Sequence, residues 1–299
     1  MAKKTLTYLK STNRDFNNVL DSFLPYKRET LLKWNYIDCA SPMMAYQQVT
    51  ANNVTADGAR ASILWPGAEG ETYWSEQCRI GAVTTDLETP IIEGTVPAVD
   101  TASTAAGLNI QMDNDTAADL GFELTLAGPH GNNSSNYIVG ENSGYVDMTI
   151  FSAQWTTYDV ISVGFRKAEN YNTGHAPIVG AGTGDGLYTD FATFGLQEPD
   201  MFQTATDLNN GGTGVYTDTG LTPTDSQNVR IRISLDSDGA ITYSLVQNAV
   251  AGAGTLAAAA NAVAMSFDKG DTVIPYFMIH GRAADDTALL LKDIEISRS

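Results

Sequence analysis

Residues 229–246 read VRIRISLDSDGAITYSLV, and this stretch decides the fold class. Val229, Ile231, Ile233 and Leu235 alternate with Arg230, Arg232 and Ser234. Beyond Asp236-Ser237-Asp238-Gly239, the apolar Ile241, Tyr243 and Leu245 alternate with Thr242 and Ser244. Period-two alternation on both sides of a Gly-terminated turn specifies a β-hairpin. Gly239 supplies the left-handed conformation that closes such a turn. One face is apolar and the other carries two arginines and hydroxyls, so the hairpin covers a core on one side only. Ile231, Ile233, Tyr243 and Phe267 are expected to face that core.

The same signature spreads outward. Leu108, Ile110 and Met112 alternate with polar residues, as do Phe122, Leu124 and Leu126, and then Val146, Met148 and Ile150. Val160–Phe165 is apolar enough to be buried on both faces. Weaker strands fall near Pro177–Val179 and Phe191–Leu196. In the Ala-rich run from Ala249 to Ala264 helix propensity competes with alternation. Val263, Met265 and Phe267 alternate, which favours a loop leading into a strand. Val273–Ile279 follows, and Leu289, Leu291 and Ile294 end the chain. Many short strands with Gly-rich turns predict a two-sheet sandwich, and at this length a jelly roll of large antiparallel sheets.

The N-terminal part reads differently. Thr12 and Asp15 form a helix-start pattern of the capping-box kind. Phe16, Val19, Leu20 and Phe23 recur at helical spacing and Pro25 ends the run. A second short helix is expected from about Tyr26 to Trp34. Residues 43–104 look irregular, with strand candidates at Ala61–Pro66 and Tyr73–Ile80 and a long excursion from Asp86 to Ala105. The expected organisation is an arm over residues 1–42, an irregular β/loop region over 43–104 that packs on the sandwich, and a sandwich over 105–299.

Composition bounds the function. Of 299 residues 43% are apolar and 17% charged, which suits a globular β-protein rich in loops. Residues 1–40 hold seven Lys/Arg against four Asp/Glu, a charge of +3. The remainder holds ten against thirty-one, −21, for a net charge of −18. A basic arm on an acidic body points to an acidic partner for the arm. Phosphate repulsion argues against nucleic acid as a ligand of the body. No run approaches the length of a membrane span. The start MAKKTLTYLK has no apolar h-region, so synthesis in a cytoplasm is expected.

Candidate chemistry is sparse. Cys39 and Cys78 have neither CxxC spacing nor a His neighbour, which disfavours a zinc site and favours free thiols over a disulfide. His130, His175 and His280 are far apart and each lies near glycine, as loop or edge histidines do. Asp113, Asp115 and Asp119, and again Asp236 and Asp238, read as turn formers before calcium ligands. GAGTGDG (180–186) lacks the strand–helix context of a phosphate loop. Trp65, Trp74 and Trp155 either fill the core or, where exposed, stack on sugar rings. No cofactor and no metal are expected.

Five segments carry a resemblance: VGFRKAENYN (163–172), TDLNNGGTGVYTDTG (206–220), VRIRISLDSDGAITYSL (229–245), MSFDKGDTVIPYFMIHG (265–281) and LLLKDIEI (289–296). Together they resemble concanavalin A-like, laminin G-like jelly-roll domains of tailed-bacteriophage virion structural proteins. The resemblance covers about residues 105–299. It implies a mainly β jelly-roll sandwich, here with an N-terminal helical arm. Hydrolases of the wider fold carry an ExDxxE strand motif whose carboxylates act as nucleophile and acid. Asp293-Ile294-Glu295 lacks the third carboxylate, so no enzymatic activity is expected.

The expected function is therefore that of a virion structural protein, a capsid decoration or cement protein. Its arm meets the major capsid protein or other virion subunits through Lys3, Lys4, Lys10, Phe16, Val19, Leu20 and Phe23. The alternative is a carbohydrate-binding head-fibre or tail protein that recognises a surface glycan on the host. Location in the virion, a homo-oligomer such as a trimer, and no nucleic acid or membrane partner belong to the same expectation.

Overall fold

In the computed structural model the described residues are 29–40, 42–46, 60–80, 107–110, 120–126, 135–152, 155, 160–171, 188–197, 201–208, 215–248, 257–258, 265–281 and 289–299. Among them the chain forms strands throughout. In order these are Glu29–Asn35 (β1), Met43–Tyr46 (β2), Arg60–Pro66 (β3), Thr72–Ile80 (β4), Leu108–Ile110 (β5) and Leu120–Leu126 (β6). Then come Tyr137–Ile138 (β7), Gly144–Ser152 (β8), Val160–Lys167 (β9), Phe191–Gln197 (β10), Met201–Asp207 (β11) and Val215–Leu221 (β12). Gln227–Leu235 (β13), Ile241–Gln247 (β14), Ala257–Ala258 (β15), Thr272–Gly281 (β16) and Leu289–Arg298 (β17) complete the set.

These strands make two antiparallel sheets, a jelly-roll sandwich. One has seven strands along β1-β17-β8-β13-β14-β15, with β5 also on β17. The other has ten along β12-β11-β10-β9-β16-β6-β4-β3-β2, with β7 on β16. Hydrogen-bonded neighbours such as β17 and β1 are far apart in sequence, as a sandwich built from crossovers requires.

The hairpin forms as its alternation demands. β13 and β14 pair from Val229↔Gln247 to Leu235↔Ile241. In the turn, Asp236 Oδ1 accepts from the Asp238 and Ala240 amides at 2.9 and 2.8 Å, and Gly239 takes φ +88°. A Cβ at Gly239 would also stand 2.3 Å from the Phe267 carbonyl oxygen, so both conformation and space require glycine. Ile231, Ile233, Tyr243 and Phe267 all lie in the core between the sheets. Aromatic contacts bridge the layers: Phe194 to Tyr243 at 6.0 Å and Trp34 to Trp65 at 5.6 Å, ring centroid to ring centroid. Val160–Phe165 is buried on both faces from Ile161 onward, as its composition predicts.

Three expectations change. The helix placed at Tyr26–Trp34 is a strand from Glu29, paired with β17 along Glu29↔Arg298 to Asn35↔Asp293. Leu32 and Trp34 point into the core, and the register shift between Thr30 and Leu32 takes Leu31 out of the alternation. The region 43–104 is less irregular than its composition implies, because β2, β3 and β4 extend the ten-stranded sheet. Among the described residues the sheets thus include strands from residue 29 onward and not only from near residue 105. Lastly, Met265 and Phe267 are buried without forming a strand. Ser266 makes an isolated bridge to Ala240, with the Ile241 amide donating to the Met265 carbonyl at 2.9 Å and the Phe267 amide to the Gly239 carbonyl at 3.0 Å. Cys39 and Cys78 are not joined in a disulfide, as expected.

Candidate functional site

Period-two geometry puts the polar partners of the core residues on the outer face of the seven-stranded sheet. Lys33 and Asn35 come from β1, Asp293 and Glu295 from β17, Asp147 and Thr149 from β8, and Arg230 and Arg232 from β13. Register lines them up in rows: Lys33 opposite Glu295, Glu295 opposite Asp147, and Asp147 opposite Arg232. A second row runs from Asn35 through Asp293 and Thr149 to Arg230. A groove of about 300 Å³ opens over these rows, with Ile37 and Asp38 at its lip.

Asp147 is the fixed point of this face. Arg230 grips it with a fork, Nε to Oδ1 at 2.8 Å and Nη2 to Oδ2 at 2.6 Å. Arg232 Nε donates to Oδ2 at 2.8 Å, and its Nη2 reaches the same oxygen. Hydrogen bonding to Asp147 raises the Arg230 pKa above its ordinary value. Bidentate guanidinium–carboxylate bonds are both strong and directional, so they set the spacing of β8 and β13 side chains here. Arg232 also lies over the Tyr145 ring at 4.3 Å, and the Tyr145 hydroxyl donates to Glu295 Oε1 at 2.6 Å.

The lip is a turn built by Asn35. Its Oδ1 accepts from the Ile37 and Asp38 amides at 3.0 and 2.8 Å, while Trp34 Nε1 donates to the Ala40 carbonyl at 2.8 Å. Ile37 is left half in water. At the register shift in β17, the Lys292 ammonium sits between the Tyr36 and Phe151 rings, 4.9 and 5.2 Å from their centroids. Burial pushes its pKa down to about 8.

The sequence-based site residues Lys3, Lys4, Lys10, Phe16, Val19, Leu20 and Phe23 lie outside the described residues, as do His130, His175, Asp113, Asp115, Asp119 and residues 180–186. His280 is a β16 residue whose backbone pairs with Gly121. Asp236 serves its turn, as expected. Trp65 and Trp155 are core residues, and Trp74 is exposed. Asp293 and Glu295 do share one face, and β8 brings Asp147 beside them. That third carboxylate escaped the sequence reading because it comes from a different strand. Its signal is one charge in the otherwise apolar run around Val146 and Met148. Among the described residues no three His, Cys, Asp or Glu side chains are placed to hold one metal ion. No helix among them is long and apolar enough to cross a membrane.

No family model matches the chain, and no curated protein does. Solved structures overlap with the chain as follows. A lectin complexed with galactose, UEA-II, is 11% identical with a TM-score of 0.43, over 66% of this chain and 89% of its own. Lectin II from Ulex europaeus is 8% identical with a TM-score of 0.44, over 91% of this chain and 100% of its own. The CBM2 module of the evolved Dit of Lactobacillus casei BL23 phage J-1 is 10% identical with a TM-score of 0.42, over 91% of this chain and 96% of its own.

Proposed function

We propose that this chain is a non-catalytic structural protein of a tailed-bacteriophage virion, and within it a capsid decoration protein. The N-terminal segment anchors it to the shell and the sandwich faces outward. The observation that carries the non-catalytic part is the state of Asp147. Both of its oxygens already accept from the Arg230 and Arg232 guanidinium groups, which leaves neither turned to a substrate. One oxygen of Glu295, Oε1, likewise accepts from the Tyr145 hydroxyl. A glycoside hydrolase needs one carboxyl group protonated and another free to attack or to activate water. The virion part is supported by the sequence resemblance and by the charge split between arm and body.

The test is quantitative analysis of purified particles together with a hydrolysis assay. The expected result is hundreds of copies per particle and no release of reducing sugar from a polysaccharide panel. A few copies per particle would move the protein to a fibre or tail. Sugar release that vanishes in Asp293→Asn or Glu295→Gln would overturn the non-catalytic reading. One observation, the exposed Trp74, favours a second reading: a carbohydrate-binding protein of the head fibre or tail.

A further inference from the structure

The lip of the groove on the seven-stranded sheet carries a residue that its turn does not need. Asn35 closes the turn: its Oδ1 accepts from the Ile37 and Asp38 amides, and its carbonyl accepts from the Cys39 amide at 3.1 Å. Trp34 Nε1 fastens the far end to the Ala40 carbonyl. Only the backbone of residue 37 takes part, so its side chain is free to be polar, as turn residues usually are. It is instead an isoleucine, 51% exposed, on a turn pinned by these four hydrogen bonds.

Exposure of one aliphatic side chain is ordinary by itself. What distinguishes Ile37 is its company. Lys33 and Asp38 are both exposed and line the same groove as Ile37. Neither side chain makes an ion pair or a hydrogen bond among the described residues. Lys33 stands opposite Glu295 in the register, but Glu295 Oε1 accepts from the Tyr145 hydroxyl and no Lys33–Glu295 ion pair forms. A rigid lip thus presents an apolar side chain with an uncommitted cation and an uncommitted anion around one hollow.

Such a patch is complementary to itself. We propose that the lip is a homotypic docking surface, on which a second copy of this chain pairs its Asp38 with Lys33 and covers Ile37. A two-fold axis passing between Lys33 and Asp38 sets each ammonium over the partner's carboxylate, twice per interface, and closes the contact. Ile37 adjoins Asp38 in the chain, so the same arrangement removes it from water. The groove favours the incoming lysine, since Asp38, Asp147, Asp293 and Glu295 face only Lys33 and Arg230 in its lining. A net charge of −18 keeps copies apart elsewhere, so a contact between them needs opposite charges supplied locally. The inference goes beyond the virion reading and does not depend on it.

The test is sedimentation velocity of the full chain over a micromolar concentration series at low and high salt. The expected result is a monomer–dimer equilibrium that weakens as salt rises. Lys33→Glu and Asp38→Lys are each expected to weaken it by about a hundredfold or more, because every interface then holds two like-charge contacts. Ile37→Ser is expected to weaken it by about tenfold. Mixed in equal amounts, the two charge-reversed variants should pair with each other, since their heterodimer restores both contacts. The double variant Lys33→Glu/Asp38→Lys should regain self-association for the same reason. A chain that stays monomeric throughout the series, or a mass of three chains, would overturn the inference. Self-association that both reversals leave unchanged would place the contact elsewhere and overturn it too. Where a single reversal also lowers the melting temperature, the double variant and the mixture decide: recovered pairing supports the contact, and none overturns it.

Discussion

The two outer faces of the sandwich each carry a carboxylate under guanidinium groups, and burial gives the two clusters different work. On the ten-stranded sheet, the Arg166 and Glu123 side chains are 0% and 1% exposed. On the seven-stranded sheet, Asp147 is 3% exposed but its partners Arg230 and Arg232 keep 13% and 29% of their surface in water. Arg166 Nε donates to Glu123 Oε1 at 2.6 Å, its Nη1 reaches the Lys167 and Glu169 carbonyls at 2.9 and 3.0 Å, and the Tyr188 hydroxyl donates to Glu123 Oε2. The Tyr188 ring also stacks under the guanidinium at 4.4 Å from its centroid. Burial works against the charge on Arg166, yet Glu123 beside it prevails and raises its pKa. The Arg166 cluster is closed and structural. The Asp147 cluster has one side buried against the sheet and the other at the floor of a groove.

That difference predicts a graded response. Glu123→Ala leaves a fully buried guanidinium without its counter-charge, the costliest kind of break. The expected loss is about 3–5 kcal/mol of unfolding free energy in urea titrations, enough to unfold much of a marginal domain. A loss under about 1 kcal/mol would mean that water enters this face and that the two clusters are alike. An inner-face substitution gives the scale. Ile233 is 0% exposed between the sheets, so Ile233→Ala is expected to cost about 2–5 kcal/mol. A cost under half of one kcal/mol there would place the hairpin the wrong way round.

Asp147→Asn is expected to cost less than either, about 1.5–3 kcal/mol, because Arg230 and Arg232 can turn to water when the carboxylate charge is gone. The same variant should loosen the groove floor and leave the Arg166 cluster untouched. Protection of β13 amides against hydrogen exchange reads that directly: it should fall in Asp147→Asn while protection in β9 stays constant. Equal loss in both strands would show that the outer faces are coupled through the core.

The sequence makes one of these faces far easier to read than the other. The β13–β14 hairpin is local: both strands, the turn and the apolar face lie within twenty-one consecutive residues, and each pairing closes a short loop. Arg230 and Arg232 are legible as its polar face for the same reason. Their partner Asp147 lies 83 and 85 residues away, so nothing near it in sequence announces the pair. β1 is the clearest misreading. Leu31, Leu32 and Trp34 fit a short helix, and the register shift hides the alternation that Leu32 and Trp34 carry. Among the described residues it is β17, at the opposite end of the chain, that supplies the ladder making the segment a strand. Met265 and Phe267 err the other way, since alternation reported their burial but not their backbone pairing.

The smallest effect on stability is expected at Trp74, and its smallness is informative. A buried tryptophan such as Trp65, whose Nε1 donates to Ser75 Oγ at 2.7 Å, loses packing and a hydrogen bond when truncated, a cost of about 3–5 kcal/mol. Trp74 is 53% exposed and its register partner Leu64 is only partly covered, so Trp74→Ala should shift stability by no more than about 0.5 kcal/mol. The two tryptophans project to opposite faces of the same sheet, which makes them a matched pair: one serves the fold and the other is spare. Parallel urea titrations of Trp65→Ala and Trp74→Ala read the contrast. If Trp74→Ala cost as much as Trp65→Ala, the indole would be a packing residue of the sheet edge. A large loss at residue 65 beside a negligible one at residue 74 leaves the exposed indole free for a ligand.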